Sequence, residues 1–472
     1  MVLVGHSRRT KCDHSSMDLR WLFIPIGAGL LSPIPGSAQQ APADYYSVPA
    51  IDAPELAHRG PHGVGVRTLE LVHTGQVDIL NLDRETGEAP AYDRPLPLEV
   101  WYPATIPTDE REHTVYESAM PGRPDQMRDG ASGSLQFPGK ALRDAPPAAE
   151  GPFPLVVVSH GYPGSRTFLT YLTENLASKG YVVAAIDHTD SVFGEVRAFT
   201  STLLNRAADQ LFTIEALEER SRRPDDFLSG VLDTSRVAIV GYSMGGYGAM
   251  ASAGAGYNSK GIAGRMVPGR YFESWTAGNE KFEALRRDNL KAIVSLAPWG
   301  AGPPVSNWAA EALADIYIPS LFIVGDQDDI SGFDPGVKDL FEGAVNSERC
   351  MLVYENARHN VGGNPAPPDA LSNFSTRESF EEPVWRKDRI TAINQHFVTA
   401  FLDLHLKGDE SRRDYLQLSV KNSNEGEWPL ERGESVGGRY SKGNEKEGHN
   451  YWKGFQRRWA VGLQMHCSAP QQ

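Results

Sequence analysis

The chain of 472 residues has only three cysteines, and no His/Cys cluster stands at metal-ligand spacing, which argues against a structural zinc site. It lacks a long Lys/Arg tract. With 46 basic against 60 acidic residues and a net charge of −14, phosphate polyanions are repelled on average, so nucleic acid is not an expected partner. No internal repeat or low-complexity tract divides the chain into modules, and beyond the N-terminal forty residues no segment is apolar enough to span a bilayer. What is there is 40% hydrophobic and 22% charged, with 46 Gly and 33 Pro spread along the chain. That composition is loop-rich and globular, and rules out disorder, collagen and coiled coil.

Between Arg20 and Asp44 there is no charge, and the apolar core over residues 21–31 is about half the ~20 residues that a membrane-spanning helix needs. Pro25, Gly27, Gly29 and Pro33 interrupt it, and Gly36-Ser37-Ala38 ends it with small residues. This pattern predicts a signal peptide over residues 1–38, with Met17 an alternative start, and a secreted or periplasmic protein. Cys12 leaves with that leader. Cys350 and Cys467 then either form one disulfide or stay as a buried thiol and a tail thiol; spacing alone does not decide between these.

Residues 39–62, rich in Ala, Pro and Asp, are expected to be a flexible lead-in, followed by alternating runs at 64–73 and 97–102 that suggest an antiparallel start to a sheet. Residues 104–150 lack periodicity and read as a surface excursion and a candidate cleft wall. From Leu155 the texture changes. Short apolar runs at 155–158, 182–186, 237–240, 292–294, 321–324 and 351–354 alternate with helical stripes such as Phe168, Leu172 and Leu176, or Leu204, Ala208, Leu211 and Ile214. Ile390, Ile393, Phe397, Phe401 and Leu404 form a third stripe. This is an α/β pattern with a mostly parallel, doubly wound sheet. A Gly-rich insertion over 251–289 with Tyr271, Phe272 and Trp275 is placed to cover a cleft. The domain is expected to span 63–418, with residues 419–472 a C-terminal extension packing on it.

The chemistry gathers around Val237-Ala238-Ile239-Val240-Gly241-Tyr242-Ser243-Met244-Gly245-Gly246, where a β-branched run enters Gly-x-Ser-x-Gly and then a small-residue helix start. This is the pattern of a nucleophile elbow, which presents Ser243 at the sheet's carboxyl edge. A serine hydroxyl needs a base, and the base an orienting carboxylate. The run 319–324 empties into Gly325-Asp326-Gln327-Asp328-Asp329, of which Asp328 is the expected acid, with Asp326 and Asp329 the alternatives. His359 follows the next strand-like run. His160 and His188 follow earlier runs; His160 reads as a loop-holding residue and His396 and His405 as parts of a helix. The oxyanion is expected to be held by the backbone N–H groups of Met244 and of Tyr162, in the turn Ser159-His160-Gly161-Tyr162-Pro163-Gly164, since Pro163 has no N–H to donate. Trp299, Tyr162 and Tyr242 suggest an apolar acyl wall, or are simply core aromatics. This chemistry requires no metal or organic cofactor.

These residues, with Arg166-Thr167, the stretch 176–188 and Ala297-Pro298-Trp299, resemble the α/β-hydrolase superfamily, in particular plasma-type platelet-activating-factor acetylhydrolases, dienelactone hydrolases and cutinase-like polyester hydrolases. The resemblance implies a Ser-His-Asp carboxylic ester hydrolase acting on short-chain or lipid-like esters, with Trp299 beside the acyl site. Two departures stand out. The acetylhydrolases place their acid where this chain has Ala297, so the acid moves one strand on, to Asp328; and dienelactone hydrolases use a cysteine where Ser243 stands. A serine peptidase or amidase and a non-catalytic binding protein are the rival readings, and the oligomeric state is left open.

Overall fold

Short runs of β-branched and apolar residues, too brief for a helix and bounded by turn formers, pair into one large sheet. The computed structural model describes residues 45–121, 133–429, 435–436, 439–440 and 450–471; the expected signal peptide lies outside them. In chain order the strands are β1 (Gly63–Val77), β2 (Ala91–Ala104), β3 (Thr114–Ala119), β4 (Ser134–Gly139), β5 (Leu142–Arg143), β6 (Phe153–Ser159) and β7 (Val182–Ile186). They continue with β8 (Leu232–Tyr242), β9 (Leu290–Leu296), β10 (Ser320–Gly325), β11 (Arg349–Tyr354), β12 (Ser435–Val436), β13 (Arg439–Tyr440) and β14 (Leu463–Ser468).

The main sheet runs β14-β11-β10-β9-β8-β6-β7-β2-β1-β5. From β7 to β11 all neighbours are parallel, while β2 is antiparallel to both β1 and β7. Each parallel strand feeds two cores. Val156 and Val158 of β6 join Leu172 and Leu176 of helix α1 (Thr170–Ser178) and Phe397 of the long C-terminal helix Lys387–Lys407. Leu155 and Val157 point the other way, to Leu204 and Ile214 of α2 (Phe199–Ser221) and Met250 of α3 (Met244–Ser252). Burial on both faces explains why these strands read as continuous apolar runs rather than as alternation. This order, with its antiparallel second strand, is the α/β-hydrolase fold. The chain reverses direction of winding between β6 and β8, and it is at such a switch point, beyond the carboxyl ends of the strands, that a ligand crevice opens.

Three expectations need correction. The lead-in is docked from Tyr45 onward, not flexible: Asn175 donates to the Ala57 carbonyl at 2.8 Å, Lys179 to the Leu56 carbonyl at 2.6 Å, and the Leu56 N–H donates to His396 Nδ1 at 3.1 Å. The excursion after residue 104 contains the ladder β3–β4, whose Tyr116 is 1% exposed and donates to Glu174 at 2.7 Å while accepting from Trp101. Its alternation is hidden in the sequence because Thr114 and Ser118 face inward and Val115 outward. The boundary at 418 also moves: β14 lies in the extension, pairs antiparallel with β11, and sets Cys467 opposite Cys350, with which it forms a disulfide. The rest of the extension packs Trp452 and Phe455 against Phe397 of the C-terminal helix. In the 251–289 insertion, Tyr257 stacks on Tyr247 of α3 at 4.6 Å and on Phe272 at 5.4 Å, which ties the insertion to the helix behind the elbow.

Candidate active site

Strand β8 ends at Tyr242 and α3 begins at Met244, so a single residue, Ser243, carries the reversal, with φ +53° and ψ −112°. A non-glycine residue held at positive φ stores strain that the surroundings must hold in place. Two glycines make that possible. A Cβ at Gly241 would strike the Gly245 backbone, and one at Gly245 would strike the Ser159 carbonyl at the end of β6. The Ser243 N–H donates to the Leu296 carbonyl at 2.9 Å, and its own carbonyl accepts from the Trp299 N–H at 3.1 Å, anchoring the elbow to the end of β9.

The loops after β10 and β11 bring Asp328 and His359 to this serine. His359 Nε2 is 3.1 Å from Ser243 Oγ, and His359 Nδ1 is 3.0 Å from both carboxylate oxygens of Asp328. Asp328 Oδ1 also accepts from the N–H groups of Ile330 and Ser331 at 2.9 and 2.8 Å, an Asx-type turn that fixes the carboxylate before the histidine arrives. With Nδ1–H donating to a buried carboxylate, Nε2 is left as the acceptor that faces the serine hydroxyl. The two alternative acids are engaged elsewhere: Asp326 accepts from the Asn356 N–H at 2.7 Å, and Asp329 pairs with Arg358.

The turn after β6 lies against Ser243, since a Cβ at Gly161 would sit 3.3 Å from Ser243 Cβ. Of the expected oxyanion donors, Met244 directly follows Ser243 and Tyr162 directly follows Gly161 in this turn. Tyr162 packs edge-on to Phe199 at 4.8 Å, and Phe199 edge-on to Trp299 at 5.4 Å, giving a half-buried aromatic row beside the serine. Tyr242 is not part of it. It lies beneath His359, 5% exposed, with its ring 5.3 Å from the imidazole and its hydroxyl donating to the His359 carbonyl at 3.3 Å. The backbone reverses at Ser243, and Tyr242, the last residue of β8, keeps its ring in the core against Phe168 at 5.7 Å, so the expectation of Tyr242 as acyl wall gives way to its alternative, a core aromatic.

A family described as PETase, PET hydrolase-like, matches residues 139–277. The chain is similar to cutinase-like serine esterases of the α/β-hydrolase superfamily. The matched stretch holds the turn at Tyr162 and the elbow at Ser243, and ends before Asp328 and His359. Among curated relatives, cutinase est1 of Thermobifida alba is 26% identical over 214 residues, 45% of this chain and 55% of its own length. The bis(hydroxyethyl) terephthalate hydrolase of Streptomyces coelicolor is 24% identical over 216 residues, 45% of this chain and 52% of its own. The chain thus spans about half the length of the curated relatives it matches. Of solved structures, a ferulic acid esterase from Streptomyces cinnamoneus aligns at 24% identity with a TM-score of 0.48, covering 75% of this chain and 94% of that one.

Two features of the site escaped sequence reading. Glu382 accepts from the N–H groups of Arg358 and Asn360 at 2.7 and 2.6 Å, one on each oxygen, and so grips the backbone on both sides of His359. Burial pushes its carboxyl above the ordinary range. Nothing in the local sequence marks this glutamate among the others. The second feature is another Ser-His-Asp line: Ser159 Oγ lies 2.7 Å from His188 Nε2, and His188 Nδ1 lies 2.9 Å from Asp209. All three are at most 1% exposed, so no substrate reaches them. Although burial pushes the other way, Arg94, bonding Asp209 at 2.9 and 3.0 Å, and His188 hold that carboxyl below the ordinary range. Burial lowers His188 to about 3, so it is a neutral strut in the loop after β7. His160 is likewise buried, donates through Nδ1 to the Gly161 carbonyl at 2.8 Å, and accepts from the His188 N–H at 3.2 Å.

Proposed function

We propose that the protein is a serine carboxylic ester hydrolase that works through an acyl-enzyme. Ser243 is the nucleophile, His359 the general base and acid, Asp328 the acid that orients the imidazole, and the N–H groups of Tyr162 and Met244 the oxyanion donors. The observation that carries this reading is the 3.1 Å separation of His359 Nε2 from Ser243 Oγ, on an imidazole whose other nitrogen is bound to a buried carboxylate. In the first half-reaction His359 takes the hydroxyl proton as Oγ attacks the ester carbonyl. The tetrahedral oxyanion then collapses and expels the alcohol, which leaves with the proton from Nε2. Water, deprotonated by His359 in the same way, releases the acid and restores Ser243.

The row Tyr162, Phe199 and Trp299 favours an apolar or aromatic group beside the scissile carbonyl. The names of the relatives, cutinases and a bis(hydroxyethyl) terephthalate hydrolase, support aryl and polyester-like esters. The acetylhydrolase-like stretches at 159–162 and 176–188 support a short acyl group on a lipid-like alcohol. Export to the periplasm or medium is part of the proposal, and the disulfide between Cys350 and Cys467 fits an oxidising compartment.

The test is hydrolysis of nitrophenyl esters from acetyl to palmitoyl, of bis(hydroxyethyl) terephthalate, of an acetylated phospholipid and of a peptide anilide, by the wild-type chain and Ser243→Ala. Ester turnover that falls by about 10⁴- to 10⁶-fold in the variant is the expected result. Cleavage of the anilide alone would replace the esterase by a peptidase, and activity unchanged in Ser243→Ala would remove the nucleophile.

A further inference from the structure

Arg206 lies on α2 and is 1% exposed. Burying a cation is costly unless its donors are met; here Nε is left without a partner, and the two Nη groups are turned toward the expected oxyanion turn and Ser191. Nη1 donates to the His160 carbonyl at 2.6 Å, and Nη2 donates to the Gly161 carbonyl at 3.4 Å and to the Ser191 hydroxyl at 2.8 Å. Asp209, one turn further along the helix, is taken up by Arg94 and His188 instead. The guanidinium therefore grips the carbonyls of two consecutive peptides. In a trans peptide the C=O and N–H point in opposite directions, so a Gly161 carbonyl drawn toward Arg206 turns the Tyr162 N–H away from it. Gly161, at the start of that peptide, lies against Ser243, since a Cβ there would come within 3.3 Å of the Ser243 Cβ. His160 Nδ1, bonded to the same carbonyl at 2.8 Å, provides the second grip.

We infer that Arg206 is the positioning residue of the oxyanion hole, fixing the tilt of the Gly161–Tyr162 peptide and polarising its N–H from behind. The inference rests on the reading of Ser243 as nucleophile. Such a residue acts when negative charge develops on the substrate oxygen and does little for the bound ester, so its effect falls on kcat and on tetrahedral adducts, with KM largely unchanged. Arg206→Gln keeps a polar side chain without the charge; Arg206→Lys keeps the charge but has a single nitrogen to offer two carbonyls.

The experiment uses the full chain as wild type, Ser243→Ala, Arg206→Lys and Arg206→Gln, and measures kcat and KM on nitrophenyl butyrate together with the inhibition constant of phenylboronic acid, which forms a tetrahedral adduct on a serine nucleophile. Removal of an oxyanion donor costs about 10²- to 10³-fold, so Arg206→Gln is expected to lose about 10²-fold in kcat and Arg206→Lys about tenfold, with KM within about twofold. Phenylboronic acid weakens by the same factors. If Arg206→Gln does not fold, Arg206→Lys decides alone. Unchanged kcat and boronate affinity, or a loss confined to KM, would overturn the inference. Wild-type turnover abolished in Ser243→Ala keeps the nucleophile reading intact whatever the Arg206 variants do. A wild-type chain inert on every ester removes both.

Discussion

Replacing Asp328 by asparagine separates the two tasks of that carboxylate. Its Oδ1 accepts from the N–H groups of Ile330 and Ser331 at 2.9 and 2.8 Å, and both oxygens lie 3.0 Å from His359 Nδ1. An asparagine satisfies the two backbone donors only by placing its carbonyl oxygen at the Oδ1 position, which sets its NH₂ group at the Oδ2 position, facing Nδ1. That carbonyl oxygen stays 3.0 Å from Nδ1, but the NH₂ group now opposes an Nδ1–H and can itself donate to a bare Nδ1, which shifts the imidazole toward the tautomer with the proton on Nε2. That nitrogen then cannot accept from Ser243, and the imidazolium that forms during attack loses its countercharge. The expected loss in kcat is about 10⁴-fold, equal to about 5.5 kcal/mol at 1.36 kcal/mol per decade. Thermal stability should stay near wild type, because the Asx turn survives. Asp328→Ala should lose similar activity and, in addition, about 1–3 kcal/mol of stability from the stranded N–H groups in a site where Asp328 is 6% exposed. Steady-state kinetics on a nitrophenyl ester and a melting curve test both parts. An Asp328→Asn enzyme with more than about a tenth of wild-type kcat would refute the assignment of acid and tautomer together.

Two more predictions concern the scaffold. The disulfide spans 117 residues and ties the edge strand β14 to β11; Cys350→Ser with Cys467→Ser should cost about 2–4 kcal/mol and loosen the C-terminal extension first, read by denaturant unfolding and by hydrogen exchange of Leu463–Ser468. His188 and His396 are both lowered to about 3 by burial, so both are neutral when folded and charged when unfolded below the ordinary histidine value. The unfolded chain then binds more protons, and their contribution to stability is full above pH 6.5 and declines as pH falls toward 3. Each histidine adds a slope approaching about 1.4 kcal/mol per pH unit. Melting temperature against pH should show this decline, and His396→Gln should reduce it; an unchanged slope between pH 6 and 5 would count against a neutral buried His396.

The legibility of this chain followed the length scale of the forces involved. The six parallel strands could be read because burial on both faces demands uninterrupted apolar residues, a purely local signature. The elbow was legible because Gly241 and Gly245 answer steric contacts with backbone only a few residues away or at the adjacent strand end. Asp328 and His359 could be placed because each follows a readable strand, and strand ends in a parallel sheet share one edge. By contrast, β3 was obscured by the threonine and serine on its inner face, and β14 by its position after a polar stretch, although it completes the sheet.

The sequence by itself determined the sheet, the elbow and the chain order of Ser243, Asp328 and His359 at successive strand ends, since these depend on local periodicity and on residues with special backbone freedom. Only the tertiary structure decided that Tyr242 lies under His359, that Cys350 and Cys467 pair, and that Glu382 and Arg206 grip the loops carrying His359 and Gly161. These contacts join residues separated by 22 to 117 positions, and one buried glutamate or arginine looks like any other until the chain has folded around it.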